Sequence, residues 1–531
     1  MDQTSGRSAR RWAGPALRAA LLAGCIGVGA PAWAEDATGE RAQQLEQQVR
    51  AWLATLLGPR ANLADRPVHI TADGDRFRVE VPVNDLFATS GITVSGDPIS
   101  AVARPLDGGR WAIDDIRFPS PLRAAYQAGG GANTLTATAD EQTQHAVLDP
   151  SLATSSSWDG MVKGYASRTE GPQGTQSTRL ETLTSHMVWQ PAEGGRLNVL
   201  QEIQGGLLTV NSMVPKVGLV AFSAERMRGT VHMENVTPER VAPVLHAMFE
   251  LAPLAMAAAD AATDAKQAPP TRPRKPGASP RPTPSKPAEA RPRHHDAFKL
   301  TAEVRASLHA ALVAARDLTD GFGEQVTLEN LRVEAGDHGG RAARMVAGLG
   351  VDAPGGRLSM RMNFALDGLD SPAIPPGVYR DYLPRHIAFA PRLGGVPAKD
   401  FMDLLLRAVD SDGHDPALEA QAEELMRKGP FAVGLDELAL DFGPATLKGS
   451  GEMQVTGRDT YNGQAHFAAT GMDALLRQAN ATPELGMAAP VLLMLKGLGQ
   501  QDGDTLVWNI AYQGGKLTVN GNDMSQMMPG K

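Results

Sequence analysis

The only thiol in this 531-residue sequence is Cys25, within Leu22-Ala23-Gly24-Cys25. That box has the form at which a bacterial lipoprotein is cut and lipidated on the cysteine. Further on, Ala32-Trp33-Ala34 offers small residues at the two positions an ordinary signal peptidase reads. Other reactive groupings are sparse. Asp410-Ser411-Asp412-Gly413-His414-Asp415 begins like a calcium loop, with Asp410 and Asp412 at the first and third ligand positions. The sixth position is Asp415 where glycine is required, and the twelfth is Gln421 where glutamate is required. Asp415 is better read as the N-cap of a helix that follows Pro416. The histidines are scattered: His294 and His295 in a proline-rich run, His246 and His309 on helical stretches, His386 and His466 in strand-like runs. Gly348-Leu349-Gly350 reads as a loop, not a nucleotide cradle. There is no nucleophile elbow, zinc-protease helix, phosphate loop or dinucleotide fingerprint. The sequence therefore names no catalytic, cofactor-binding or metal-binding residue.

The first 34 residues have the layout of an export signal. Arg7, Arg10, Arg11 and Arg18 precede an apolar stretch from Ala19 to Ala30, which Pro31 ends. A cut before Cys25 leaves only Ala19–Gly24 as apolar core, short against the usual 7–15 residues; a cut after Ala34 leaves a full one. Secretion to the periplasm with cleavage after Ala34 is the expectation, and a lipoprotein anchored at Cys25 the alternative. The mature chain then has no cysteine, so it has neither disulfides nor thiolate chemistry.

The formal charge of −8 is unevenly spread. The signal carries net +3 and residues 265–297 net +6, so the remainder is far more acidic than the total. Such a body disfavours nucleic acid as partner. Proline recurs through residues 265–297 and removes backbone donors, so the segment reads as a disordered, basic linker. Its bland role is a solvated spacer. Its sharper role is an arm for an envelope protein or an anionic wall polymer.

Helical periodicity appears at 40–57, 237–262 and 299–318. Most of the rest alternates with period two around Gly-rich turns: 68–82, 99–118, 178–210, 325–334, 357–366, 384–390, 431–441, 445–456 and 462–470. A strand giving way to a helix recurs at 229–245, 385–408 and 465–479. These signals predict an α+β protein: an extended, curved antiparallel sheet of meanders and hairpins, with helices packed on one side. The expected divisions are a signal peptide at 1–34, an N-terminal α+β region at 35–264, the linker at 265–297 and a C-terminal α+β region at 298–531.

The ending is a helix closing at Gly497-Leu498-Gly499, an Asp502-Gly503-Asp504 turn, a strand from Thr505, and Gly515-Lys516-Leu517-Thr518-Val519-Asn520-Gly521. It resembles YdgA-like domains of the proteobacterial envelope, whose function is unknown. Residues 435–457 resemble the body of that family. The resemblance implies an envelope protein and brings no catalytic residues; members keep an N-terminal membrane anchor, where this chain shows a cleavable signal. Methionines at 345, 360, 362, 402, 426, 453, 472, 487 and 494 suit core filling, or an apolar ligand held against the sheet. The expected function is non-enzymatic binding of lipid or another apolar ligand in envelope maintenance. The alternative is a scaffolding module acting through the linker. Mass analysis of the exported chain should find Glu35 as its first residue; a lipid-modified Cys25 would reverse the assignment.

Overall fold

The computed structural model describes residues 39–57, 68–84, 92–128, 131–152, 154–172, 174–214, 218–244, 247, 302–316, 318–335, 338–371, 374, 380, 383–411, 415, 417–457 and 460–524. The export signal, Cys25, His246, His294, His295 and the linker lie outside these residues. So does most of the 237–262 segment, of which 238–244 is helical.

Alternation dominates the chain because β-branched and small residues recur with turn glycines between them. The first strands are β1 (His69–Asp73), β2 (Arg76–Val81), β3 (Thr93–Ser95), β4 (Ile99–Pro105), β5 (Trp111–Arg117), β6 (Leu122–Ala128), β7 (Gly131–Thr138) and β8 (Glu141–Asp149). Two long strands follow, β9 (Thr154–Gly171) and β10 (Gly174–Pro191). Then come β11 (Leu197–Gly205), β12 (Leu208–Val214), β13 (Gly218–Ala224) and β14 (Arg226–Val236). Beyond the undescribed segment lie β15 (Gly321–Ala335), β16 (His338–Asp352), β17 (Arg357–Asp367), β18 (His386–Pro397), β19 (Phe431–Asp441), β20 (Thr446–Gly457) and β21 (Thr460–Thr470). The chain closes with β22 (Gln500–Asp502), β23 (Thr505–Gln513), β24 (Lys516–Val519) and β25 (Asn522–Asp523).

Among the described residues all 25 strands belong to one sheet, and every pairing is antiparallel. The ladder forks at β9, which takes β8 along one half and β7 along the other, and again at β10. One half of β10 pairs with β11 and the other with β12. The two branches meet again on β15, which takes β14 along Gly321–Glu329 and β13 along Arg332–Ala335. The chain on either side of the linker therefore shares one hydrogen-bonded sheet.

This corrects the α+β expectation. The helices are α1 (Gly39–Leu57), α2 (Ala302–Ala315), α3 (Ala398–Asp410), α4 (Ala417–Arg427), α5 (Met472–Ala481) and α6 (Ala489–Leu498). They are too few and too short to form a layer over such a sheet. The fold is mostly β, with helices only over parts of one face. Gly348-Leu349-Gly350 is also corrected: it lies inside β16, not in a loop. A Cβ on Gly348 would stand 2.0 Å from Asn363 Oδ1, so the glycine makes room for a cross-strand side chain.

The helices pack on a common face of the sheet. Leu45, Val49 and Leu53 of α1 meet Phe77, Val79, Ala103 and Trp111. Phe401, Leu404 and Leu425 of α3 and α4 meet Leu393, Phe431 and Val455. Leu476 and Leu492 of α5 and α6 meet Phe467, Leu506 and Trp508.

The motif that carried the family resemblance is architectural. Asn520 adopts a left-handed φ of 49°. Its Nδ2 donates to the carbonyls of Leu498 at 3.0 Å and Val507 at 2.9 Å, and its Oδ1 accepts from the Asn509 N–H at 2.8 Å. The residue thereby ties β23 to the end of α6. The turn into α5 is equally constrained. Gly471 has φ 71°, and a Cβ there would stand 1.9 Å from the Pro444 carbonyl oxygen. Gly471→Ala should cost at least about 2 kcal/mol, from left-handed strain plus a backbone clash. A melting temperature equal to that of the parent would contradict this.

A candidate apolar binding face

Antiparallel register sets directly opposed residues on one side of a sheet, with Cβ atoms about 5 Å apart. From β15 to β23 this aligns four rows on the helix-bearing face. One runs Leu328, Met345, Leu366, Ile387, Leu440, Leu447, Ala469, Leu506. The next is Val326, Ala347, Phe364, Phe389, Leu438, Gly449, Phe467, Trp508. The third begins Glu324, Leu349, Met362 and continues through Pro391, Leu435, Gly451, Ala465 and Ile510. The fourth is Phe322, Val351, Met360, Leu393, Val433, Met453, Gly463, Tyr512. Period-two alternation on each strand produces these rows without any irregular loop.

The rows are covered at β21 and β23 by α5 and α6, and beside β18–β20 by α3 and α4. Between those clusters they lie open. Met362 is 52 % exposed, Phe389 46 %, Val433 44 %, and Leu349, Phe364 and Met453 between 37 and 40 %. All six belong to one face of β16–β20. Scattered exposed apolar residues need no explanation, but a contiguous apolar patch does. Gly449 and Gly451 supply no side chains on β20, and the Phe467 ring lies over Gly449, 2.1 Å from where a Cβ would stand. The space over Gly449 is thus filled by that ring, and the space over Gly451 is narrowed by the Ala465 methyl, 2.7 Å from where a Cβ would stand.

The opposite face is polar and ion-paired. Arg392 bridges Asp436 at 2.9 Å and Glu452 at 2.7 Å. The hydrogen bond that Arg392 donates to Glu452, helped by the Asp436 charge against some desolvation, raises the Arg392 pKa above its usual value. A shallow depression on that face is lined by His145, Asp159, Thr184, His186 and Glu202. His186 pairs with Asp159 at 2.6 Å, and His145 stands 3.4 Å from Asp114. These pairs are well exposed, where an ion pair contributes little. Among the described residues no group of three or more His, Cys, Asp or Glu side chains is placed to hold a metal.

The histidines singled out in the sequence find ordinary partners. His386 pairs with Asp367 at 2.6 Å, and His466 lies 2.9 Å from Asn509; both stand on strands as expected. His309 of α2 pairs with Asp410 of α3 at 2.7 Å. Asp410 is thus engaged away from a calcium loop, and residues 412–414 lie outside the described residues. Asp415 is a helix cap: its Oδ1 accepts the Ala417 N–H at 2.8 Å and its Oδ2 accepts from Arg407. The methionines divide. Met472 is buried, whereas Met362, Met426, Met453, Met487 and Met494 are exposed. The sequence reading overlooked Phe364, Phe389, Val433 and Glu324. A signal for them exists: the alternating strands outnumber the helices available to cover their apolar side.

Comparison with known proteins yields no family model, no curated protein and no solved structure similar to this chain. Among the described residues no helix is long and apolar enough to cross a membrane.

The cap on α4 gives a pH test. The Ala417 N–H and the Arg407 guanidinium hold the Asp415 carboxyl below its usual value, against a smaller desolvation effect. A carboxylate whose pKa is lowered by folding stabilises the fold above its unfolded pKa of about 4, and that contribution is lost as pH falls through the folded value. Asp415→Ala should therefore lower the melting temperature at pH 7, and the gap from the parent should narrow below about pH 4. A gap that stays constant with pH would refute the assignment.

Proposed function

We propose that this protein is a non-enzymatic carrier or holder of lipid acyl chains, working in the envelope compartment to which its signal directs it. The observation that supports this reading is the open apolar patch of Leu349, Met362, Phe364, Phe389, Val433 and Met453, between the helices that cover parts of the same face.

The occupant follows from shape and chemistry. The patch crosses four interstrand spacings, about 19 Å at roughly 4.8 Å each. A bilayer hydrocarbon core of about 30 Å holds two chains end to end, so one acyl chain needs about 15 Å. The lining is Met, Leu, Val and Phe, which suits a flexible chain better than a rigid polar ligand. A dozen methylenes sheltered at about 0.8 kcal/mol each give about 10 kcal/mol, enough to offset an association cost of about 4 kcal/mol or more.

The pair Met362→Asp and Phe389→Asp places charge in the path of the chain at sites already half exposed. Stability should change by less than about 1 kcal/mol for each. Affinity for a fluorescent fatty acid should fall at least about tenfold, since the charge must be desolvated on binding. Unchanged fatty-acid binding by a folded double variant would overturn the reading.

A further inference from the structure

Within the four apolar rows from β15 to β23, Glu324 is the one charged side chain. It stands on β15 directly opposite Leu349, which is itself opposite Met362. It is half-buried, and among the described residues it makes no ion pair and no side-chain hydrogen bond. Some carboxylates of the neighbouring strands are paired, and others, such as Glu234 and Glu334, are not paired among the described residues; Glu324 differs in standing within the apolar rows. Glu329, on the polar face of β15, pairs with Arg226 at 3.2 Å, and Asp367 of β17 pairs with His386. An unpaired carboxylate bordering an apolar surface loses hydration without compensation, so the fold alone gives no reason for it.

Glu324 interrupts a row that is apolar on both sides of it. Towards β20 the row is Leu349, Met362, Pro391, Leu435 and Gly451. In the other direction it passes Val231 on β14 and reaches Gln201 on β11. The Gln201 amide donates to Ser185 Oγ on β10 at 3.4 Å. The carboxylate therefore stands between Val231 and Leu349, the one charge on a surface whose other lining accepts hydrocarbon.

We infer that Glu324 is a headgroup-selecting residue, and that the occupant of the apolar patch is a phospholipid whose headgroup carries an ammonium, as in the phosphatidylethanolamine class. This rests on the acyl-chain reading above. The carboxylate receives the ammonium in a charge-assisted hydrogen bond while the chain lies across β16–β20. A headgroup offering only hydroxyls makes a weaker bond to the same carboxylate and brings an uncompensated phosphate charge towards it. Ethanolamine lipids are then favoured over glycerol lipids with identical chains.

The test uses the full mature protein, incubated with vesicles holding equal amounts of phosphatidylethanolamine and phosphatidylglycerol of the same acyl composition. The protein is re-isolated and its bound lipids are counted by mass spectrometry. The parent should retain the ethanolamine lipid about tenfold over the glycerol lipid. Glu324→Gln, which keeps shape and removes charge, should retain as much total lipid with the preference lost. Equal retention of both lipids by the parent, or a preference that survives in Glu324→Gln, overturns the role of Glu324 while leaving acyl binding intact. Retention of neither lipid by the parent overturns the acyl-chain reading itself.

Discussion

The hydrogen-bonded ladder is the constraint on which the rest depends. Once every strand pairs antiparallel with its neighbours in fixed register, side chains divide strictly between two faces. One face carries the ion pairs, the other nearly all the large apolar residues. An apolar face that spans most of a long sheet needs a covering of comparable area. The helices α1 and α3 to α6 supply it only locally, at the N-terminal strands, beside β18–β20, and over β21 and β23. What stays uncovered is a product of that mismatch, and it falls on β16–β20 between the areas that the helices reach.

The pairing of β14 with β15 shows how firmly the ladder is held. These strands are neighbours in the sheet but roughly 85 residues apart in the chain, so bringing them together costs about 4 kcal/mol in loop closure. Nine opposed residue pairs, from Arg226–Glu329 to Glu234–Gly321, offset it. The cost rises only logarithmically with length, which is why a long proline-rich insertion is tolerated at this point. The fork at β10 and its closure on β15 brace the same region from the other branch.

Much of this was legible in the sequence. Alternation at 68–82, 431–441, 445–456 and 462–470 gives β1–β2, β19, β20 and β21, and the periodicity at 40–57 and 299–318 gives α1 and α2. Asp415 reads as a cap because its spacing fits a helix start better than a calcium loop. The fold class was misjudged because periodicity reports each segment locally and carries no area: helical and strand segments look balanced in a list of signals, yet among the described residues only the strands join into one body. The binding face was hidden for a related reason. Phe364 and Phe389 look like core residues in any window of sequence, and their exposure is set by helices that pack elsewhere. The glycines of β16 misled in the opposite direction, since Gly348 serves cross-strand packing with Asn363 where turn chemistry seemed sufficient.

Glu324 is informative because register protects it from a trivial explanation. A slip of one residue on β15 would bring the carboxylate to the polar face, but it would also carry Phe322, Val326 and Leu328 there. Leu328 is buried with Met227, Ile203 and Leu183, so that slip would empty an established cluster. The strand is therefore pinned by its apolar residues, and the charge is held on the apolar side as a consequence. An apolar residue at this position would complete the row without disturbing any ion pair among the described residues, so the fold by itself disfavours the glutamate. Its position between Val231 and the hydrocarbon-like lining that begins at Leu349 offers an amphiphile a polar point for the head beside a path for the chain.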